Sequence, residues 1–203
     1  MIHKNIFISN NKEVGKKCKK WALENLPKGF ALVDDPIESD IFISVMYDKI
    51  LKEKFISKRK CYNFHPAPLP NYAGVNTITW SLLNEESYHG ITLCMIDAGI
   101  DTGDIVDIVK IPILNDTANI LYDKVIAEMF IFFKKHFINL LFQKYKTTKQ
   151  DFNKRKIYKR CDLKKILNLT NYMKATYFPG KECPFFYDQD GNKITVSYTE
   201  IRR

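Results

Sequence analysis

Short apolar runs alternate with longer, mostly polar segments over the first two thirds of the chain. Such runs occupy residues 5–9, 30–33, 40–45 and 61–64, and a helical pattern follows the first of them through about Leu26. The run at 40–45 is almost continuously apolar, which is typical of a strand covered on both faces of a parallel sheet. This alternation predicts an α/β fold with a doubly wound, mostly parallel sheet.

Further elements follow in the same order. We expect helices at residues 50–56 and 77–83, strands at 91–96 and 105–111, and a long helix at 116–144. Asp116 or Thr117 can cap the long helix. Its apolar positions are better explained by packing on the sheet than by a cofactor site, and they are Ile120, Leu121, Val125, Met129, Phe133 and Phe137.

The last part of the chain has a different character. Residues 145–160 are polar and basic, which predicts an exposed connector, and a short helix is expected at 163–174. A hairpin follows, in which Asp190-Gly191-Asn192 supplies the turn between strands at 185–187 and 194–196. We therefore divide the chain into an α/β domain, residues 1–145, and an appendage, residues 146–203, expected to serve a ligand site or a dimer.

Composition narrows the class of protein. The 203 residues are 45% hydrophobic and 13% aromatic, which indicates an ordered domain with a real core. No segment approaches the roughly 20 apolar residues that span a bilayer, and the N-terminus lacks the pattern of a signal peptide. Five cysteines are too irregularly spaced for a disulfide framework or a metal motif. We expect a cytoplasmic protein with reduced thiols and no membrane insertion.

The net charge of +9 allows more than one interpretation. Its lysine clusters lack the interleaved glycines and aromatic residues of RNA-binding surfaces, so a nucleic-acid partner is not expected. A solvated lysine-rich face explains the charge, and attraction of a phosphorylated substrate is the alternative.

Candidate chemistry is concentrated after the fourth strand. Asn63 and His65 lie two residues apart at its end, so both side chains point to the same side. The three prolines that follow stiffen this segment. The glycine-bearing loop at 97–104 can bring Asp101 back to the same rim.

An amide, an imidazole and a carboxylate together can stabilise an oxyanion and move a proton. No serine or cysteine has a comparable setting, so direct attack by a substrate amine fits better than a covalent enzyme intermediate. Taken singly, such a histidine or an Asp-Thr-Gly-Asp loop is more often structural. A metal site is not expected, because His65 has no histidine or cysteine partner at ligand spacing.

Two segments carry a family resemblance. NFHPAPLPNYAG and GITLCMIDAGIDTGDIV resemble the motifs of formyltransferases that use N10-formyltetrahydrofolate, and the 36-residue separation of His65 and Asp101 is similar to the family spacing. The resemblance implies a Rossmann-like fold, here with a shortened N-terminal half. It also implies that Asn63 and His65 stabilise the oxyanion while Asp101 helps to remove the amine proton.

The resemblance further implies a slot for the pterin of N10-formyltetrahydrofolate, the formyl donor, and no metal. The slot would lie between two loops and be formed by Met46, Tyr47, Asp48, Lys49, Ile50, Asp97, Ala98, Gly99 and Ile100.

Three acceptor classes occur in this family. Methionyl-tRNA formyltransferases share the loop Asp-Ala-Gly-Ile-Asp-Thr-Gly-Asp but carry a C-terminal RNA-binding domain, for which residues 145–203 are too few. Glycinamide ribonucleotide formyltransferases have a similar length but a different loop. The C-terminus, with Pro179-Gly180 and Gly191-Asn192-Lys193, is most similar to the sugar formyltransferases.

The resemblance thus implies formyl transfer to a nucleotide-linked amino-dideoxy sugar, such as TDP-4-amino-4,6-dideoxyglucose or an isomer, a reaction of O-antigen or lipopolysaccharide biosynthesis. Lys174 and Ala73 stand where arginines are usual, which places two contacts in question. Glycinamide ribonucleotide formyltransferase and a non-catalytic folate or nucleotide-sugar binding module are the alternatives.

Side chains that could bind the acceptor are assigned by the same resemblance, and each could equally be a packing or surface residue. They are Asn10, Tyr72, Asn76, Thr77, Lys174 and Tyr177. The adjacent Phe185 and Phe186 on the hairpin offer a candidate homodimer surface.

Overall fold

A computed structural model of the chain describes residues 3–159, 169–181, 185–187 and 192–195. In this part of the chain the strands, numbered in chain order, are β1 (Lys4–Ile8), β2 (Phe30–Leu32), β3 (Ile41–Val45), β4 (Lys60–His65), β5 (Ala73–Gly74), β6 (Tyr88–Met95), β7 (Ile105–Pro112), β8 (Ile157–Tyr158), β9 (Phe185–Tyr187) and β10 (Lys193–Thr195). The helices are α1 (Glu13–Glu24), α2 (Glu53–Ile56), α3 (Thr77–Leu83), α4 (Ala118–Leu141) and α5 (Leu169–Thr176).

Six strands form the central sheet, in the order β2-β1-β3-β4-β6-β7. The first four are mutually parallel, whereas β6 runs antiparallel to both of its neighbours. The prediction of a mostly parallel α/β sheet is therefore confirmed. Every residue of β3 is buried, as its continuous apolar run predicts for a central strand covered on both faces.

The two faces of the sheet are covered unequally. One face carries α1 and α4, whose aromatic residues interlock, with Trp21 against Phe133 and Phe137 at ring-centroid distances of 6.3 and 5.9 Å. The opposite face carries a smaller cluster around Phe7 and Phe42, covered by the single turn of α2. The thin cover leaves room for a cavity on this second face.

Helix α4 matches the predicted long helix, but Thr117 at its N-cap makes no side-chain capping hydrogen bond and the Asp116 carboxylate binds Lys124 instead. Ile120, which was expected on the apolar face, is 43% exposed, whereas Phe132 and His136 are buried. The reason is angular, because Ile120 lies about 100° around the helix from buried Leu121. His136 is tolerated at the edge of the core because its Nε2 lies 2.9 Å from the carboxylate of Asp107 on β7.

The segment at residues 148–158, called here the return segment, is only in part the exposed connector that was expected. Most of its side chains are exposed, but its backbone returns to the sheet. Thr148 exchanges two backbone hydrogen bonds of 2.8 Å with Ile105, and β8 pairs in parallel with β5. Gln150 and Tyr158 turn inward, so the return segment lies against the loops after β4 and β6.

The C-terminal helix and hairpin are present as α5 and the antiparallel pair β9–β10. Residues 160–168 and 188–191 and position 196, on which parts of these predictions fall, lie outside the described residues. The division into two domains at residue 145 stays a prediction. None of the helices in the described ranges is long and apolar enough to cross a membrane.

Candidate active site

A row of three polar side chains crosses the thinly covered face of the sheet. Ser44 on β3 pairs in register with Asn63 on β4, and Asn63 pairs with Cys94 on β6. Side chains at paired positions project to the same face, so these three lie side by side. They line a cavity of about 180 Å³ on that face.

Ser44 sets the orientation of the Asn63 amide. Its hydroxyl donates a 2.6 Å hydrogen bond to Oδ1 of Asn63. The amide oxygen is thereby occupied, and the amide nitrogen is left as a donor toward the cavity. Ser44 was not predicted as a site residue, although it is the one polar residue in the apolar run Ile41–Val45.

His65 is buried, and both of its ring nitrogens have partners. Nε2 lies 2.7 Å from the backbone oxygen of Tyr72, and Nδ1 lies 3.5 Å from Oδ1 of Asp101. A carbonyl oxygen can only accept, so Nε2 carries a proton and donates it. Nδ1 is then the nitrogen that can gain or lose a proton, and it faces a carboxylate.

Asp101 reaches His65 by an indirect route. Strand β6 is antiparallel to β4, and its last residue, Met95, pairs with Tyr62 near the start of β4. The loop at 97–104 therefore begins at the end of the sheet where β4 starts. It folds back across the thinly covered face toward the end where β4 finishes. Its path includes a left-handed backbone at Asp101, with φ of 52°.

The second oxygen of the Asp101 carboxylate is held by the loop after β4. Its Oδ2 accepts a 2.9 Å hydrogen bond from the backbone N–H of Gly74. Gly74 has φ of 92°, and a Cβ atom there would lie 2.3 Å from the backbone oxygen of Tyr158. Only glycine fits this position, because it tolerates both the conformation and the close approach of β8.

Buried hydrogen bonds fix the proline-rich segment that follows His65. Nε2 of His89 donates to the Pro66 oxygen at 2.8 Å, and the Thr77 hydroxyl donates to the same oxygen at 3.1 Å. The Thr92 hydroxyl donates to the Ala67 oxygen at 2.7 Å. The rigidity expected from the prolines is thus supplemented by side chains of α3 and β6.

The cavity contains most of the predicted pterin-slot residues. Tyr47, Lys49, Ile50 and the loop at 97–100 line it together with Asn63 and Asp101. Met46 and Asp48 are not among its lining residues. The backbone of Met46 is left-handed, with φ of 54°, and its side chain packs against the main core on the other face.

Cys94 lines the cavity but is not a nucleophile. Burial raises the pKa of its thiol far above the ordinary value, and the neighbouring carboxylates Asp101 and Asp97 raise it further. A thiolate is the reactive form of cysteine, so Cys94 remains an inert thiol at neutral pH. Cys94 therefore offers no thiolate for covalent chemistry at this cavity.

The six predicted acceptor-binding residues do not form one cluster. The Tyr72 side chain is 3% exposed and stacks on Tyr158, and its hydroxyl is hydrogen-bonded to Glu86 and Asn84. Tyr72 therefore contributes its backbone oxygen to His65, while its ring packs in the core. Thr77 is also buried, with its hydroxyl bound to Pro66.

The other four lie at separate positions. Asn10 borders a surface cavity formed with lysines of α1. Lys174 lies 3.3 Å from Oδ1 of Asn115 and borders a different cavity beside α3. Asn76 precedes α3 in a left-handed conformation, and Tyr177 is half-buried after α5.

Within the described residues, no group of three histidine, cysteine, aspartate or glutamate side chains is arranged to hold a metal ion.

The fold is that of an α/β protein. An amide and an imidazole lie at the carboxyl end of one of its strands, and a carboxylate folds back to them. Ligands of open α/β sheets bind at such strand ends. A formyl transferase family profile matches residues 21–131, which is more than half of the chain. The chain belongs to the formyl transferase family.

Relatives differ in the acceptor that their names indicate. The methionyl-tRNA formyltransferase of Acetivibrio thermocellus is 36% identical over 124 residues, which is 60% of this chain and 38% of that protein. The chain thus spans less than two fifths of that relative's length.

Solved structures of N-formyltransferases are also similar. An N-formyltransferase from Helicobacter canadensis, in complex with folinic acid and dTDP-3-aminofucose, is 28% identical with a TM-score of 0.73, over 88% of this chain and 81% of that chain. A 4-N formyltransferase from Francisella tularensis shares the fold at a TM-score of 0.80 and 19% identity, over 96% and 97% of the two chains.

Proposed function

We propose that the protein transfers a formyl group from N10-formyltetrahydrofolate to the amino group of a nucleotide-linked amino-dideoxy sugar, such as TDP-4-amino-4,6-dideoxyglucose or an isomer. One observation carries this proposal. Asn63, with its amide nitrogen turned outward by Ser44, and Asp101, paired with His65, line the same cavity. A hydrogen-bond donor and a proton acceptor at one cavity are what attack of an amine on a formyl group requires.

The donor supplies an electrophilic formyl carbon, and the reaction forms a bond from the acceptor nitrogen to that carbon and breaks the bond from the carbon to N10. Negative charge develops on the formyl oxygen, where the Asn63 amide can donate a hydrogen bond. The acceptor nitrogen becomes positive and must lose a proton. Asp101 accepts that proton, directly or through Nδ1 of His65, and N10 takes up a proton as it leaves with the electron pair of the broken bond.

This division of roles differs from the one that the family resemblance implies. There, His65 shares the oxyanion with Asn63. Here, Nε2 of His65 donates to the Tyr72 oxygen and Nδ1 faces Asp101. We therefore assign the oxyanion to Asn63 and assign His65 to the proton path with Asp101.

The cavity suits the pterin of a formyl-folate. Phe42, Ile50, Leu51 and Ile96 provide apolar surface for a flat ring system. Residues 97–100 border the cavity, and their backbone N–H and C=O groups can hydrogen-bond to the polar ring edge. The Helicobacter canadensis neighbour, crystallised with folinic acid, supports a folate donor.

Two acceptors are compatible with the relatives. The dTDP-3-aminofucose in the Helicobacter canadensis structure supports a nucleotide sugar. Methionyl-tRNA is the second candidate, because the curated relatives with 32 to 40% identity are methionyl-tRNA formyltransferases.

The decisive experiment is a formylation assay with N10-formyltetrahydrofolate and separate acceptors. These are TDP- and UDP-linked amino sugars, glycinamide ribonucleotide, methionyl-tRNA and buffer alone, with products identified by mass spectrometry. We expect formylation of a nucleotide sugar. Product only with methionyl-tRNA or glycinamide ribonucleotide would replace the acceptor, and folate binding without any product would indicate a non-catalytic binding module.

Matched variants test the site itself. Asp101→Asn removes the proton acceptor at nearly constant size, and we expect it to lower kcat by about 100-fold or more. Asp123→Asn makes the same chemical change at an exposed carboxylate on α4, outside the cavity lining, so it should retain wild-type kcat. Equal activity of both variants would contradict the role assigned to Asp101.

A further inference from the structure

We propose that Gln150 is a positioning residue that holds the Asp101 carboxylate at the His65 imidazole; this inference rests on the proposed function. Gln150 is 49 residues away from Asp101 in the chain and is 7% exposed. Its side-chain amide nitrogen donates to the backbone oxygens of Asp101, at 2.9 Å, and Gly103, at 2.7 Å. Both amide hydrogens are thus committed to the loop that carries the carboxylate.

The loop needs such support because its conformation is unfavourable on its own. Asp101 adopts a left-handed backbone, which a residue with a Cβ atom rarely populates unless surrounding contacts impose it. The two carbonyl groups that Gln150 binds belong to Asp101 itself and to Gly103, two residues further along the chain. Fixing both oxygens from one amide determines the orientation of the intervening peptides, and with it the direction of the Asp101 side chain.

The return segment also holds the loop after β4. The backbone N–H of Ala73 donates to the Lys156 oxygen at 3.0 Å, and that of Val75 donates to the Tyr158 oxygen at 3.1 Å. Between them lies Gly74, whose N–H binds Asp101. Gln150 is therefore part of one element that fixes both the loop bearing Asp101 and the loop that binds its second oxygen.

The chemistry of Gln150 is poorly suited to a purely space-filling role. Its neighbours Lys149 and Asp151 are exposed, yet Gln150 turns inward. Its Oε1 is buried and has no protein hydrogen-bond partner. Burying an unsatisfied amide oxygen is unfavourable, so an apolar side chain would fill the space better. The two donated hydrogen bonds are the function that requires an amide here.

The test uses Gln150→Met, which keeps the length and bulk of the side chain but removes the donors. Lys149→Met places the same residue at the exposed neighbouring position and serves as the control. We expect Gln150→Met to lower kcat by about 10- to 100-fold, because displacement of a reacting group by about 1 Å has effects of this size. The KM values should change less than about threefold.

A double-mutant cycle separates positioning from general destabilisation. If Gln150 acts through Asp101, adding Gln150→Met to Asp101→Asn should lower kcat by less than about twofold further. A full additional loss in the Asp101→Asn background would overturn the proposal. So would an unchanged kcat in the single Gln150→Met variant.

Hydrogen exchange provides a measurement that does not depend on activity. The Gly74 N–H is protected by Oδ2 of Asp101, so Gln150→Met should speed its exchange by about tenfold or more, and Lys149→Met should not. An inactive wild type would refute the proposed function, and Gly74 exchange alone would then decide whether Gln150 positions Asp101. Unchanged exchange in Gln150→Met would overturn the positioning role in either case.

Discussion

Mild acidification should destabilise the fold through His89. This residue is completely buried, with Nε2 against the Pro66 oxygen and Nδ1 2.7 Å from the Ser81 hydroxyl. Burial lowers the pKa of His89 from 6.5 to about 4; the hydrogen bond to Pro66 opposes this shift and the nearby His65 adds to it. The folded protein thus keeps His89 neutral at a pH where the unfolded chain binds a proton.

The size of the effect follows from the two pKa values. Above about pH 6.5 the imidazole is neutral in both states, and the full stability is present. As the pH falls from 6.5 toward 4, only the unfolded state takes up the proton, so stability is lost progressively. A pKa difference of this size corresponds to about 3 kcal/mol over the whole window and about 2 kcal/mol by about pH 5.

Urea unfolding at about pH 7.5 and about pH 5 measures this loss directly. His89→Gln retains an uncharged donor for Pro66 but cannot titrate, so its loss should be smaller than that of the wild type by about 2 kcal/mol. His136→Gln is the control, because burial also lowers the pKa of His136 while Asp107 opposes the shift. Equal losses in wild type and His89→Gln would refute the assignment to His89.

Three further substitutions test single features of the structure. Ser44→Ala should leave the Asn63 amide free to rotate and lower kcat by about tenfold with little change in thermal stability; an unchanged kcat would show that the hydroxyl does not orient the amide. Gly74→Ala should force a Cβ atom against the Tyr158 oxygen, lowering both stability and kcat in thermal-melting and formylation assays. Phe133→Ala should cost about 3 to 5 kcal/mol in urea unfolding because Phe133 is fully buried in the main core, and a loss below about 1 kcal/mol would contradict that packing.

The sheet could be predicted because its strands are locally distinctive. Runs such as Ile41–Val45 are apolar enough to indicate burial without any knowledge of their neighbours. The shared direction of the Asn63 and His65 side chains could also be predicted, because residues two apart on a strand face the same side. The exposure of Ile120 was not predicted because Ile120 was grouped with the adjacent Leu121 on one apolar face. Adjacent positions on a helix point about 100° apart, so the two side chains cannot both face the core centre.

The supports of the site could not be predicted for a different physical reason. Gln150 lies in a polar, mostly exposed stretch, and nothing local distinguishes it from its neighbours. Its role depends on hydrogen bonds to a loop 47 and 49 residues away. Tyr72 presents the converse case: its phenol suggested a ligand contact, but its ring is stacked in the core and only its backbone oxygen reaches His65.

The extent of the family match and the extent of the site are not the same. The match ends at residue 131, whereas the groups that hold Asp101 and Gly74 come from residues 148–158. In the proposed function Asn63, His65 and Asp101 supply the chemistry, but the left-handed backbone of Asp101 and the close approach at Gly74 are maintained from outside the matched region. Because reaction rates depend on the placement of the reacting groups to within about 1 Å, substitution of the return-segment residues that hold these two loops, such as Gln150, should alter kcat without touching any reacting atom.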